Sequence, residues 1–168
     1  MMEENKKWST SYILVTGLIA GTMDIAAAII QTLIGGGTVM RLMQYIASGV
    51  FGKQAFEGGM TMAALGLLFH YIIAMGWTWL YAFIYPKNKL LHYNWILSAF
   101  IYGIAVWFLM NRVVLQLSNV TPYSFNITRA LIAAGILIVC IGVPIAYRMK
   151  NAAPAEALAE EGRMKNEE

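Results

Sequence analysis

Residues 60–85 read MTMAALGLLFHYIIAMGWTWLYAFIY, a run without formal charge that is followed at once by Pro86-Lys87-Asn88-Lys89. At about 1.5 Å of rise per helical residue it is long enough to cross a hydrocarbon core of about 30 Å. Its C-terminal third holds Trp77, Trp79, Tyr81 and Tyr85, and amphipathic rings of this kind gather where acyl chains meet headgroups, with lysines just beyond. The stretch therefore reads as a membrane span that ends in an aromatic belt and a basic anchor.

Working outward, three more apolar runs repeat the signal, at residues 12–34, 95–117 and 127–147. The first contains one charge, Asp24; the third begins at Trp95 after a short connection, so spans two and three form an antiparallel hairpin; the fourth closes with Arg148 and Lys150. The first run is preceded by Lys6 and Lys7, but it is too long for a signal peptide and lacks a small-residue cleavage site before a polar segment. Of the 168 residues 59% are hydrophobic and 12% charged, with mean hydropathy +0.59, against about 45–50% apolar in a soluble domain. These values exclude a soluble globule, and with it a Rossmann or barrel enzyme. The predicted fold class is all-α: a polytopic membrane protein of four transmembrane helices in residues 1–150, with a polar cytoplasmic tail, 151–168, expected to be disordered.

The segment between the first two spans is too apolar for a plain connector. Val39, Leu42, Met43, Ile46 and Val50 recur at helical spacing around Arg41 and Gln44, between Gly35-Gly36-Gly37 and Gly58-Gly59. This pattern predicts an amphipathic helix over residues 38–52, either lying at the interface or re-entering the bilayer as a partial lid. Basic residues orient the bundle: Lys6, Lys7, Lys87, Lys89, Arg148, Lys150, Arg163 and Lys165 fall on the side of the termini, against Arg41, Lys53, Arg112 and Arg129 on the other. That imbalance places both termini in the cytoplasm. The net charge of +3 is a topology signal and not a nucleic-acid footprint. Cys140 is the single cysteine, so neither an intrachain disulfide nor a multi-cysteine metal site is expected. Asn119-Val120-Thr121 and Asn126-Ile127-Thr128 match the glycosylation pattern and are read as chance.

A carboxylate in mid-membrane costs about 2.5–3.5 kcal/mol on insertion scales, so Asp24 must be protonated, paired or hydrated. Gly17, Gly21, Asp24, Ala28 and Gln31 share one helical face, small enough for a neighbour to approach closely. The second span presents Gly59, Ala63, Gly66, His70, Ala74, Trp77 and Tyr81, the third Gly103, Trp107, Asn111 and Val114, and the fourth Ala134, Gly135, Ile138 and Gly142, with Pro144 as a kink. Measured from the cytoplasmic ends, Asp24 lies roughly 18 Å deep, His70 roughly 22 Å, Asn111 roughly 24 Å and Arg112 roughly 25 Å. Convergence at one level would let Asp24 bond His70 or pair with Arg112, with Asn111 joining both as donor and acceptor. The candidate binding or proton-path residues are thus Asp24, His70, Asn111, Arg112, Gln31, Trp77 and Trp107; the helix-packing residues are Gly17, Gly21, Ala28, Gly66 and Gly103. The competing reading is that the same polar groups fasten helices together without a ligand. No metal or cofactor is expected: His92 lies in a short loop, so His70 has no partner at its depth for a haem. GxSxG, HExxH and a second mid-span carboxylate are all missing, so the chain is not read as an enzyme.

Gly17-Leu-Ile-Ala-Gly21, the run Phe69-His70-Tyr71-Ile72-Ile73-Ala74 leading to Phe83-Ile84-Tyr85-Pro86-Lys87, and a third span ending shortly before Thr121-Pro122 resemble the YagU-like small inner-membrane proteins of bacteria. The resemblance covers residues 12–122 and lacks that family's long polar insertion between the first two spans. It implies a bacterial inner-membrane location and an importance for His70, with no biochemical activity to carry over. The functional expectation is a small membrane transport or solute-binding protein, working as a homodimer among membrane lipids on a proton or small polar solute, without nucleic acid. The alternative is a structural or lipid-interacting protein that modulates a partner.

Overall fold

The computed structural model describes residues 8–88, 90–91, 94–120 and 126–151. Lys6, Lys7, Lys89, His92, Thr121, Pro122, Arg163, Lys165 and the expected disordered tail beyond Asn151 lie outside these residues. Among the described residues the chain is helical and contains no strand. We number the helices α1 (Thr10–Ile34), α2 (Val39–Phe51), α3 (Gly59–Ile84), α4 (Trp95–Leu117) and α5 (Ile127–Asn151). Four of them, α1, α3, α4 and α5, are long and apolar enough to cross a membrane.

The starts of the helices follow from local chemistry. The first turn of a helix leaves N–H groups without partners, and a side-chain oxygen just before it supplies one. Ser9 accepts from the Tyr12 N–H, Thr38 from Arg41, Asn94 from Ile96 and Asn126 from Arg129. Between α2 and α3 the chain turns through a short 3₁₀ segment, Gly52–Phe56, flanked by Gly52 at φ 60° and Gly59 at φ 55°, a backbone conformation that a side chain disfavours.

Small residues then set the packing. A Cβ on Gly17 would press on the Met75 sulfur and lie 3.1 Å from Thr78 Oγ1, and one on Gly21 would lie 3.0 Å from the Ala74 Cβ, so α1 and α3 run in close contact. Gly66 faces the Met43 carbonyl, which brings α2 onto α3. Gly103 lies against the Ile138 backbone and Gly142 against the Ala99 carbonyl, joining α4 to α5. Gly17, Gly21, Gly66 and Gly103 thus all stand at helix contacts, while Ala28 is only half-buried.

Both α4 and α5 contain a π-helical turn, at Met110–Val114 and Ile138–Gly142. In each, an N–H reaches back five residues, from Leu115 to the Met110 carbonyl and from Val143 to the Ile138 carbonyl. The second has a plain cause: Pro144 has no N–H for the Cys140 carbonyl and its ring crowds that turn, so the helix widens just before it. The wide turn also carries the Ile138 backbone up to Gly103.

The main core joins α1, α3, α4 and α5 around Ile13, Ala20, Tyr81, Tyr102, Val106, Ile141, Ile145 and Met149. A second, smaller one holds Ile25, Met43 and Ala63 where α1, α2 and α3 meet. The start of α1 lies against the end of α5: Trp8 Nε1 donates to the Met149 carbonyl at 3.2 Å, and Tyr12 donates to the Arg148 carbonyl at 2.7 Å. At the opposite end, the Asn119 N–H and Nδ2 donate to the Gly49 and Val50 carbonyls, both at 2.9 Å. The loop after α4 thereby closes the last turn of α2.

Candidate functional site

The site grows from the α1–α3 seam. Because Gly17 and Gly21 present no side chain, α3 comes close enough for His70 to reach the backbone of α1. His70 Nε2 lies 2.8 Å from the Gly21 carbonyl. A carbonyl can only accept, so Nε2 carries the hydrogen and donates. The tautomer is thereby fixed, and Nδ1 is left as the nitrogen that gains or loses a proton.

Nδ1 points at Asp24 Oδ2, 4.0 Å away. That separation is too long for a direct hydrogen bond and stands at the outer limit of an ion pair. Asp24 sits one helical turn beyond Gly21 on α1, so a single face of α1 offers His70 both a carbonyl and a carboxyl. The side chains are 11% and 20% exposed for His70 and Asp24, so the pair is sheltered yet reachable. Tyr71 borders it: its ring meets the His70 ring edge-on at 5.5 Å, and its hydroxyl shares a hydrogen bond of 3.0 Å with Thr22. The π-helical turn of α5, which carries buried Cys140, also packs against α1.

The other expected site residues do not join this pair. Asn111 Nδ2 donates at 2.8 Å to the Trp107 carbonyl of its own helix, and Arg112 is exposed. Both stand in the Met110–Val114 turn, where the extra residue rotates the rest of α4 away from the face that Gly103 begins. Gln31 is exposed: no residue of α1 after Ile25 is buried, so the stripe loses its neighbour two turns before its end. Trp107 is half-buried and shares only its carbonyl with Asn111. Trp77 packs against the main core; its carbonyl accepts from the Tyr102 hydroxyl, while its Nε1 is buried without a partner. Among the described residues no group of three or more His, Cys, Asp or Glu is placed to hold a metal.

Sequence reasoning missed the polar contacts nearer the chain termini. Tyr81 and Ser98, both fully buried, share a hydrogen bond of 2.6 Å between α3 and α4. Tyr102 reaches the Trp77 carbonyl in the same hairpin register, four residues further from the turn on both helices. Counting outward from the midpoint of the connection, between positions 89 and 90, would have paired these residues. Arg148 Nε donates to Thr16 Oγ1 at 3.0 Å; here the signal was the Tyr12-Thr16-Ala20 spacing of α1, one position off the stripe of glycines.

Fold and site together define a multi-pass helical membrane protein with an acid–histidine pair between its first and second spans. Comparison with family models, curated proteins and solved structures finds no match for the chain.

Proposed function

We propose that this chain is a small transport protein of the bacterial inner membrane that binds a proton, or a small polar solute exchanging one, at Asp24 and His70. The observation that carries this reading is the geometry of His70: Nε2 is committed to the Gly21 carbonyl at 2.8 Å and Nδ1 faces the Asp24 carboxyl at 4.0 Å. Two proton-accepting groups then face one another at 4.0 Å in a setting of low dielectric, where a lone charge is expensive. Such a pair takes up or releases a single proton more readily than two. The chain is read with both termini cytoplasmic, with α2 lying at or re-entering the opposite interface, and as a homodimer, because four helices enclose little space for a pathway.

The competing reading is a structural or lipid-interacting protein. It draws on the same His70–Gly21 bond, which fastens α1 to α3, and on Asn111, whose amide is satisfied within α4.

Reconstitution in liposomes loaded with a pH-sensitive dye and driven by a potassium diffusion potential separates the two. Transport predicts proton flux above that of empty liposomes, reduced to background in Asp24→Asn and His70→Gln while Asp24→Asn melts near wild type. Absence of flux in the wild type, or flux surviving both substitutions, overturns it. Lower melting temperatures in both variants without wild-type flux favour the fastening role.

A further inference from the structure

Where the start of α1 meets the end of α5, Arg148 of α5 is held in one pose by α1. Its Nε–H donates to Thr16 Oγ1 at 3.0 Å, and its guanidinium lies 4.8 Å from the centre of the Tyr12 ring. The Thr16 hydroxyl donates to the Tyr12 carbonyl at 2.7 Å, which turns its lone pairs to Arg148, and Tyr12 donates to the Arg148 carbonyl. The position of the charge is therefore fixed by hydrogen bond, stacking and backbone together.

Among the described residues its charge is not matched. The carboxylates among the described residues are Asp24, which faces His70, and Glu57, in the turn before α3 at the far end. Neither pairs with Arg148. The two Nη atoms have no acceptor among the described residues, and they are not sealed in the core, where Trp77 Nε1 is the unpartnered side-chain atom. A half-buried guanidinium with its outer edge free is a fork that fits two oxygens of one anion.

The surroundings fix which anion. Arg148 stands at the level of a belt of rings: Tyr147 meets Trp95 edge-on at 5.3 Å, and Trp8 meets Tyr85 at 5.2 Å. Rings of this kind lie at headgroup depth, where phosphodiesters are the abundant anions. We propose that Arg148 binds the phosphodiester of an anionic phospholipid, in a cleft framed by Tyr12 and Thr16. A net-negative lipid supplies the missing counter-charge, whereas a choline headgroup brings its own cation. This site is independent of any role for Asp24 and His70.

The test uses the full chain in vesicles of phosphatidylglycerol or phosphatidylcholine, with lipid retention read by native mass spectrometry and stability by thermal melting. Wild type should retain phosphatidylglycerol selectively and melt higher in it. Arg148→Gln should weaken retention about tenfold or more, as expected for charge-assisted bonds, while Lys87→Gln, which removes another cation of this end, should retain it like wild type. Should Arg148→Gln not fold, Arg148→Lys keeps the charge and loses the fork, and a clear drop in retention is still expected. Equal retention of both lipids by wild type, unchanged retention in the Arg148 variants, or equal loss in Lys87→Gln overturns the proposal. So does a matching rise in melting temperature from inorganic phosphate in phosphatidylcholine vesicles, which would make the ligand a free anion.

Discussion

Two glycines of the same helix should respond oppositely to the same added methyl. Gly76 and Gly66 both lie inside α3, ten residues apart. Nothing lies within 4 Å of a Cβ built on Gly76, whereas one built on Gly66 would overlap the Met43 carbonyl oxygen and sit 2.7 Å from its carbon and 3.3 Å from the Ala47 nitrogen. Both substitutions gain the helix preference of alanine over glycine, about 0.5–1 kcal/mol. At Gly66 the obstacle is backbone and cannot rotate aside, so α2 must move off α3, at an overpacking cost of about 1–3 kcal/mol. Gly76→Ala should therefore stabilise slightly and Gly66→Ala should fall below it by about 1–3 kcal/mol, or about 2–4 °C of melting temperature per kcal/mol in a chain of this size. Tryptophan fluorescence melts in detergent measure the difference. A Gly66→Ala protein as stable as Gly76→Ala would mean that α2 does not pack on α3 as described, and the second core around Met43 would go with it.

Other consequences are equally open to measurement. ¹⁵N NMR of labelled His70 should show Nε2 protonated in the neutral ring; the opposite tautomer would dissolve the link to the Gly21 carbonyl. Tyr81→Phe and Ser98→Ala should each cost about 1–3 kcal/mol by stranding a buried hydroxyl, and the double variant should cost clearly less than their sum. Asn119→Ala should speed amide hydrogen exchange in the last turn of α2 without changing exchange in α5, because it removes the Nδ2–Val50 bond.

How much of this was readable depends on how local each determinant is. The four spans follow from runs of apolar residues, and their observed limits shift by only a few positions, with α5 continuing to Asn151. The α3 face was legible almost whole: Ala63, Gly66, Ala74 and Tyr81 are buried, and His70 and Trp77 half-buried, because α3 keeps a regular α-helical period. Periodicity misled where the period changes. Projecting from Gly103 to Asn111 assumes 3.6 residues per turn, and the π-helical turn at Met110–Val114 adds one. For α2 the hydrophobic spacing predicted the helix and part of its inner face: Met43 is buried with Leu42 and Ile46 packed beside it, but Gln44 and Ser48 are buried as well, while Val39 and Val50 face outward. Gln44 turns inward because its Nε2 donates to the Gly59 carbonyl at 3.2 Å, a long-range reason that no local pattern contains. The apolar residues of α2 are thus divided, Leu42, Met43 and Ile46 against the second core and Val39 and Val50 on the outside.

The placement of His70 follows from the same economy of side chains. An imidazole donating to a carbonyl that is already bonded within its own helix needs the carbonyl uncovered, and a residue larger than glycine at position 21 would push on Ala74 and Tyr71 before His70 arrived. Gly21 is thus both a packing residue and the reason that Nδ1, and not Nε2, is turned to Asp24. Had a side chain stood there, His70 would have been held further out and either nitrogen would have served. The close approach usually read as helix glue is here also what decides which imidazole nitrogen faces Asp24, so packing and the orientation of the ring at this seam cannot be varied independently.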